Sequence, residues 1–599
     1  MAALSLEEAI ESALESFPNI DCLKDEQKKC IAALLQKKDV LGLLPTGFGK
    51  SLIFQLYPRI FELVNGRKNC HVVIVSALNA ITEEQVQELA DTGISAVAVG
   101  DSRETDENIL KGDYKLVFGS AEMWLRKTWI NNFKRSALRN NVELIVVDEA
   151  HVAQSWGQAT NKKTAFRKAY GDIASIRSFL KPGTPLLALT ATVEQRSREA
   201  LVKLLGMPKA SVIDVSVNNE NIRFSAKDVK RGLSCFNWLV DKIGTEQEQT
   251  PKTIVFCRSI NDVSVVLSYL LKKLGHLAYI DENKSKTKCL LGVYHSNSPA
   301  ELKERVRKSF KNDDGPIRVV IATSALSLGV NFKDIRYVIH YGPAPDLCSH
   351  LQEAGRAGRD GKEAHNITFY HGQQLRLCDK KIKACFKIDT CLRVALFKDF
   401  VRDIKSLPEG HRCCHNCHRM CKCGGNKCNV QLPAFEGSTS DQESKSGRTR
   451  SITTEDENDL RSALFEIQET LNQNISFPIL GNTVMAHGFS DDVIEGIVSE
   501  ASHIFDIEYL IENHNITSMQ LARDIVEIFS EQFEDIDVSA DAMFCQSFTQ
   551  EQNSCTATDC HTDMRDLFWC DYFDSSDDSG EEEDCPVSED EFDNLLLTL

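Results

Sequence analysis

Between an apolar run (Val40, Leu41, Leu43, Leu44) and an amphipathic one (Leu52, Ile53, Leu56, Ile60) the chain reads LPTGFGKS, from Leu44 to Ser51. Strand, glycine-rich turn and helix in that order make a phosphate cradle. Gly47 and Gly49 let the backbone curl until several N–H groups face one anion, and the helix that follows adds the positive end of its dipole. Lys50 is placed to reach the β- and γ-phosphates of a nucleotide, and the Ser51 hydroxyl suits Mg2+. The full P-loop spacing wants glycine where Leu44 stands, so only the second half of that motif is present.

Short apolar runs recur after this loop: CHVVIVSA (70–77), SAVAV (95–99), YKLVFGS (114–120), VELIVVDEAH (142–151) and PLLALTATV (185–193). Polar text bounds each run and helix-length segments separate them, the pattern of a parallel sheet buried on both faces. DEAH at 148–151 stands where such a strand ends, the edge at which open α/β sheets bind ligands. There Asp148 is suited to hold Mg2+ through its hydration shell, and Glu149 to orient and deprotonate an attacking water. Thr190 and Thr192 close this first series with hydroxyls able to relay nucleotide state. A second α/β series follows, with runs at 252–259, 292–296, 317–326, 336–342 and 365–371 and no P-loop of its own. It carries QEAGRAGRDG (352–361), whose Arg356 and Arg359 would face a γ-phosphate across a cleft and stabilise charge developing in phosphoryl transfer. Hydrolysis then requires the two lobes to close.

The net charge of −18 conceals a division. From Gln431 onward 39 Asp and Glu face 6 Lys and Arg, whereas residues 1–430 hold 48 acids and 63 bases. A basic body is the electrostatic footprint of a polyanion binder. The start, MAALSLEEAIESALESF, has acids where a secretory signal has positive charge, and no apolar run approaches the ~18 residues of a membrane span. A soluble intracellular protein without membrane contact is expected. Its 21 cysteines are scattered singly except near residue 414, which suits a reducing compartment and one metal site. Cys414, Cys417 and Cys421 have metal-ligand spacing, and Cys391 upstream supplies a fourth soft donor for a tetrahedral, structural Zn2+. Cys413, His415, His418, Cys423 and Cys428 lie near enough in sequence to replace a ligand.

Taken together these texts resemble the RecQ family of DNA helicases over roughly residues 15–425. LKDEQKKCI looks like its adenine motif, LLPTGFGKSL its nucleotide loop, VDEAH its acidic motif, YHSNSPAELKERVRKSF and IRVVIATSALSLGVNFKDIRYVIHYG its second-lobe motifs, and HLQEAGRAGRDG its arginine motif. The resemblance implies two RecA-like lobes with ATP between them and single-stranded DNA across their tops, moved 3′ to 5′ to unwind partly duplex DNA. It implies catalytic work for Lys50, Asp148, Glu149, His151, Gln352, Arg356 and Arg359. Nucleotide and Mg2+ contacts fall to Lys24, Gln27, Thr46, Gly47, Gly49, Lys50, Ser51 and Asp148, with the Gln27 amide reading the adenine edge. Contact with nucleic acid falls to Ser76, Trp156, Phe166, Arg167, Thr190 and Thr323, three of them in the text QSWGQATNKKTAFRKAYG (154–171) that matches the family's aromatic-rich loop. That loop lacks the family's His-Asp pair, and Ala77 stands where the family shows proline. The cysteine set Cys391, Cys414, Cys417 and Cys421 is similar to the family's zinc module.

Beyond it lie a polar stretch expected to be disordered and three helical patterns, at 459–472, 490–505 and 517–533, with neither the strands nor the basic surface of a winged helix. The expected fold class is α/β: lobe 1 at 1–225, lobe 2 at 226–375, zinc module at 376–430, linker at 431–458, acidic helical module at 459–538 and disordered acidic tail at 539–599. The tail, with 12 acids and no Lys or Arg from Asp571, suits solubility, competition with DNA for the basic lobes, or a basic protein partner. Nucleus is expected from the substrate class, otherwise cytoplasm; no sequence feature sets an oligomeric state. Two other functions stay open: an RNA-dependent ATPase, since DEAH is shared with RNA remodelling enzymes, and an ATP-gated scaffold that hydrolyses without unwinding.

Overall fold

The structure, a computed structural model, describes residues 3–77, 79–90, 92–157, 167–229, 233–280, 288–327, 332, 334–436, 448–473, 487–507, 509–510, 514, 516 and 519–536. The acidic tail falls outside these residues.

Two parallel sheets form the body. The first has strands β1 (Val40–Leu43), β2 (His71–Val75), β3 (Ala96–Ala98), β4 (Leu116–Gly119), β5 (Val142–Val147), β6 (Leu186–Thr190) and β7 (Ser211–Asp214), in the order β3-β4-β2-β5-β6-β1-β7. Successive residues feed opposite cores. Leu41, Val73, Val75, Ile145 and Val147 enter one, while Val40, Val72, Ile74, Leu144 and Val146 enter the other. Hence these strands read as unbroken apolar runs, because helices cover both faces. Glu143, buried in β5, is held by Lys37 at 2.6 Å and by Lys181.

The second sheet comprises β8 (Ile222–Asp228), β9 (Thr253–Cys257), β10 (Leu291–Tyr294), β11 (Val319–Ala322), β12 (Tyr337–Tyr341) and β13 (Ala364–Tyr370), in the order β10-β11-β9-β12-β13-β8. A lobe boundary at 225 therefore cuts β8; the break lies between β7 and β8. The strand-like text around 209–228 is two strands that belong to different sheets.

The C-terminal helices Thr454–Gln473, Asp491–Ser499 and Met519–Phe533 are not a separate unit. Leu460, Leu464, Ile494, Ile497, Ile525 and Phe529 share one continuous core with Val266, Leu267 and Leu270 of the helix Ile260–Leu274. The apolar stripe of these helices, which the sequence leaves free to pack within an acidic module of its own, is spent on lobe 2. Of the linker expected at 431–458, residues 431–436 and 448–458 are described, and its last residues already belong to the helix that starts at Thr454. Arg450 anchors the stretch before that helix. Its guanidinium is buried, with Phe505, Phe529 and Phe533 ring centroids at 4.3, 5.4 and 4.5 Å, Asp535 at 3.0 Å and the Ile504 carbonyl at 2.6 Å. Arg450→Ala is expected to cost about 2–3 kcal/mol, because it removes these ring contacts and leaves Asp535 without its cation. Hydrogen exchange in the helix Met519–Phe533 checks this; unchanged protection would refute it.

Candidate nucleotide-binding cleft and cysteine clusters

The glycine turn after β1 requires left-handed backbone at two points: Gly47 has φ 78° and Gly49 φ 86°, and the helix Lys50–Asn65 starts at once. L side chains rarely adopt that conformation, so only glycine curls the loop without strain. A Cβ on Gly49 would meet Gln27 Nε2 at 2.7 Å. Gln27 is buried, and its amide is committed to the chain: Nε2 donates to the Phe48 and Gly49 carbonyls at 3.2 and 2.9 Å, and Oε1 accepts from the Lys24 backbone N–H at 2.8 Å. In this structure Gln27 braces the phosphate loop, and contact with an adenine edge requires exchanging those bonds. Lys24 Nζ sits 4.1 Å from the Phe48 ring centroid.

DEAH follows β5 directly. Glu149 takes φ 47°, a costly conformation for a non-glycine residue and one that concentrates at functional sites. It turns one carboxylate oxygen to Lys50 Nζ at 3.7 Å and the other to His151 Nδ1 at 3.3 Å. His151 Nδ1 also lies 3.0 Å from Thr190 Oγ1, and Gln352 Nε2 lies 3.2 Å from His151 Nε2. Both ring nitrogens are thereby engaged: Nδ1 faces Glu149 and Thr190, and Nε2 faces the Gln352 amide. Gln352 comes from the second lobe, so a continuous polar chain Lys50–Glu149–His151–Gln352 crosses the cleft.

Two further contacts close the same gap. Thr46 Oγ1 donates to the Gly355 carbonyl at 2.9 Å. The Arg359 side chain lies against Gly47, where a Cβ would meet Arg359 Cδ at 3.1 Å. Arg356 is buried and donates to the Ser327 carbonyl. The cleft thus gathers Lys50, Arg356 and Arg359 against Asp148 and Glu149. Burial and the neighbouring Arg356 pull the Arg359 guanidinium down to about 9, with Glu149 opposing; it stays charged at neutral pH. Among the acids, burial and the adjacent Glu149 push Asp148 up, while Lys50 and His151 hold Glu149 down against its own burial. The two adjacent carboxyls are thus held apart in proton affinity, Asp148 above Glu149.

Glu353, one turn from Arg356, is buried 3.1 Å from His340 Nε2. Burial, helped by Asp346 and opposed by Arg356, raises it to about 8. A carboxyl raised in the folded state favours folding below its unfolded value and loses that contribution as pH climbs to the folded one. Between pH ~4.5 and ~8 the protein is expected to lose up to a few kcal/mol of stability through this residue. Urea midpoints at the two ends of that window should differ less in Glu353→Gln than in wild type; equal differences would refute it.

The residues expected to touch nucleic acid are placed unevenly. Arg167 donates from Nε to Glu122 Oε1 at 2.7 Å, pairs again with Oε2 at 2.5 Å, and donates to the Ala77 carbonyl at 2.8 Å. It ties two loops of lobe 1 together instead of presenting a cation outward. Thr190 is fully buried on His151, on the nucleotide side. Ser76 is buried, its carbonyl accepting from Tyr170 Oη at 2.9 Å. Thr323 follows β11 half-buried. Trp156 belongs to the helix His151–Gly157, with its side chain outside the described residues, and Phe166 lies outside them altogether. Ser51 occupies the first turn of the helix Lys50–Asn65.

After β13 the chain builds the cysteine module on the other face of the second sheet, where Leu392, Leu396, Phe397, Cys413 and Cys414 join the core of Phe224 and Phe256. It also touches lobe 1, where the Gln195 N–H donates to the Asp399 carbonyl at 3.0 Å and Arg198 to the Phe400 carbonyl at 3.3 Å. Four thiols converge here: Cys391, Cys413, Cys414 and Cys417, their sulfurs all within 4.8 Å of one another. Cys391 and Cys413 Sγ are 3.6 Å apart, close to the ~3.8 Å edge of a tetrahedron with Zn–S ~2.3 Å. Hydrogen bonds from Cys391 and Cys413 hold the Cys414 thiol far below its usual range. The set fits a structural Zn2+. It is not the set read from spacing, because Cys413 stands in the place assigned to Cys421. Cys421 instead approaches His411, Cys423 and Cys428.

Comparison with known proteins agrees with this architecture. The DEAD/DEAH box helicase family model matches residues 24–201, and the helicase conserved C-terminal domain model matches 234–361. The ATP-dependent DNA helicase RecQ of Haemophilus influenzae is 26% identical over 365 residues, covering 60% of this chain and 53% of that protein. The ATP-dependent DNA helicase Q-like 2 of Arabidopsis thaliana is 26% identical over 405 residues, covering 62% and 52%. A putative ATP-dependent RNA helicase of Acanthamoeba polyphaga mimivirus is 26% identical over 373 residues, covering 61% of each chain. The chain spans about half the length of the first two of these relatives. With one helicase model on each lobe and RecQ-named relatives along both, the chain is a RecQ-like member of the superfamily 2 helicases.

Proposed function

We propose that this protein is an ATP-driven motor that moves 3′ to 5′ on single-stranded DNA and unwinds partly duplex DNA, hydrolysing ATP only when its lobes are closed. The observation that carries the reading is the contact across the cleft, Gln352 on His151 and Arg359 against Gly47. Three cations and two acids leave a positive excess that a triphosphate neutralises. Asp148 and Ser51 are the residues to hold Mg2+, which would supply further neutralisation of the β- and γ-phosphates.

Lys50 now pairs with Glu149; a phosphate that draws Lys50 away raises the proton affinity of Glu149 and makes it a better base. Glu149 then takes a proton from water as the water oxygen bonds to the γ-phosphorus, and the electrons of the broken bond leave with ADP. Arg356 and Arg359 stabilise the charge spread over the transferring group. His151 and Gln352 link the state of Glu149 to the second lobe, so hydrolysis and lobe separation are coupled.

A second reading, turnover with little unwinding, is favoured by Arg167 being spent on Glu122 and by the lack of any strand after β13 among the described residues. ATP turnover measured with DNA and with RNA, beside unwinding of a duplex with a 3′ overhang, separates the two. DNA-stimulated turnover with unwinding supports the motor, turnover without unwinding supports the second reading, and preference for RNA refutes both.

A further inference from the structure

We propose that His411, Cys421, Cys423 and Cys428 hold a second structural Zn2+, interleaved with the Cys391, Cys413, Cys414 and Cys417 site. Their ligand atoms all lie within 4.8 Å of one another. Cys421 Sγ and Cys428 Sγ are 3.6 and 3.7 Å from His411 Nδ1, and Cys423 Sγ is 3.3 Å from Cys428 Sγ. With Zn–S ~2.3 Å and Zn–N ~2.0 Å, tetrahedral edges are ~3.8 Å between sulfurs and ~3.5 Å between sulfur and nitrogen, so modest adjustment admits the ion. Three thiolates and one imidazole select zinc among common divalent cations.

The backbone is shaped for this. Gly425 adopts φ 97°, the Gly425 N–H donates to the Lys422 carbonyl at 2.9 Å and the Gly424 N–H to the Lys427 carbonyl at 3.0 Å. That tight turn returns Cys428 to Cys423. The His411 Nδ1 faces the thiols, and its Nε2 points away from them, 4.0 Å from Glu409 Oε2. A third argument is energetic. Residues 422–427 are all exposed, and Met420, Val430 and Leu432 leave 60%, 45% and 49% of their surface to solvent. The segment has no apolar core to hold it, and short segments of this kind are ordered by metals or disulfides.

Bound there, the ion would tie this loop to the second lobe. The His411 carbonyl accepts from Arg223 of β8, whose guanidinium also reaches His418 Nδ1 at 3.2 Å and Glu436 at 2.5 Å. His411 falls between Cys391 and Cys413 along the chain, so one ligand of the second site lies within the span of the first.

The test is elemental analysis of the full-length protein, purified under reducing conditions without chelator, together with its Cys423→Ser/Cys428→Ser double variant. Two zinc ions per chain in wild type and one in the variant, with circular dichroism unchanged, are the expected result. One ion in wild type overturns the proposal, as do two ions retained by the variant. A Cys423–Cys428 disulfide in the intact mass of freshly purified wild type also overturns it. Because the wild-type count is read first, misfolding of the variant cannot mask the answer. The cleft activity does not enter the measurement, so failure here leaves the motor reading untouched.

Discussion

If the protein is the motor proposed above, Arg359→Ala is expected to lower DNA-stimulated ATP turnover by ~10³-fold or more, the scale of losing an arginine that reaches a transferring phosphoryl group from an opposing surface. The side chain already lies against Gly47 of the phosphate loop, so its contribution needs little rearrangement. ATP affinity in the absence of DNA should change far less, because Lys50 and the loop N–H groups belong to the other lobe. Arg359→Lys should not restore turnover, since a point ammonium cannot reproduce the planar fork of donors. Steady-state turnover at saturating ATP and DNA is the measurement, and a loss smaller than about tenfold would mean that Arg359 merely packs on the loop.

Cys414→Ser is expected to be nearly as severe, but through folding. Cys414 is buried in extended backbone, pairs with Phe224 of β8 through a parallel bridge, and sits among three other thiols. Serine there weakens the metal set and puts a hydroxyl into the core that carries Phe224 and Phe397. Structural zinc contributes ~10 kcal/mol or more in small modules, a loss comparable to the whole ~5–15 kcal/mol stability of a typical domain. The variant should accumulate as insoluble chain, or lose residues 391–436 to protease while lobe 1 survives. A soluble, protease-resistant variant with unchanged zinc would show that the thiol is not a ligand.

Much of the cleft was legible because its signals are local. A glycine turn between strand and helix, and two acids at the end of an apolar run, declare their geometry within ten residues. What escaped was set by contacts distant in sequence. Arg167 reads as a cation for DNA, whereas in the fold Glu122, 45 residues away, pairs with one edge of its guanidinium and the Ala77 carbonyl, 90 residues away, takes Nη1. Nor does the sequence show that the Gln27 amide rests on the carbonyls of Phe48 and Gly49, more than twenty residues away. The neighbours Cys413 and Cys414 could not be ranked by spacing, since the choice depends on where a helical turn, Gly410–Cys413, gives way to extended chain. Cys421 reads as a ligand of the first site from its spacing to Cys417, whereas the fold sets it beside His411, Cys423 and Cys428. The C-terminal helices looked autonomous because an apolar stripe does not say which surface it meets.

Those helices are fused to lobe 2 through Leu267 and Leu270 and, among the described residues, share no core cluster with lobe 1. Any hinge that parts Arg359 from Gly47 must therefore swing them as rigid cargo, and their displacement grows with distance from the pivot. A fluorophore on exposed Glu466, paired with one on lobe 1, would turn the opening of the cleft into a change of distance, making the appendage a readout of each stroke.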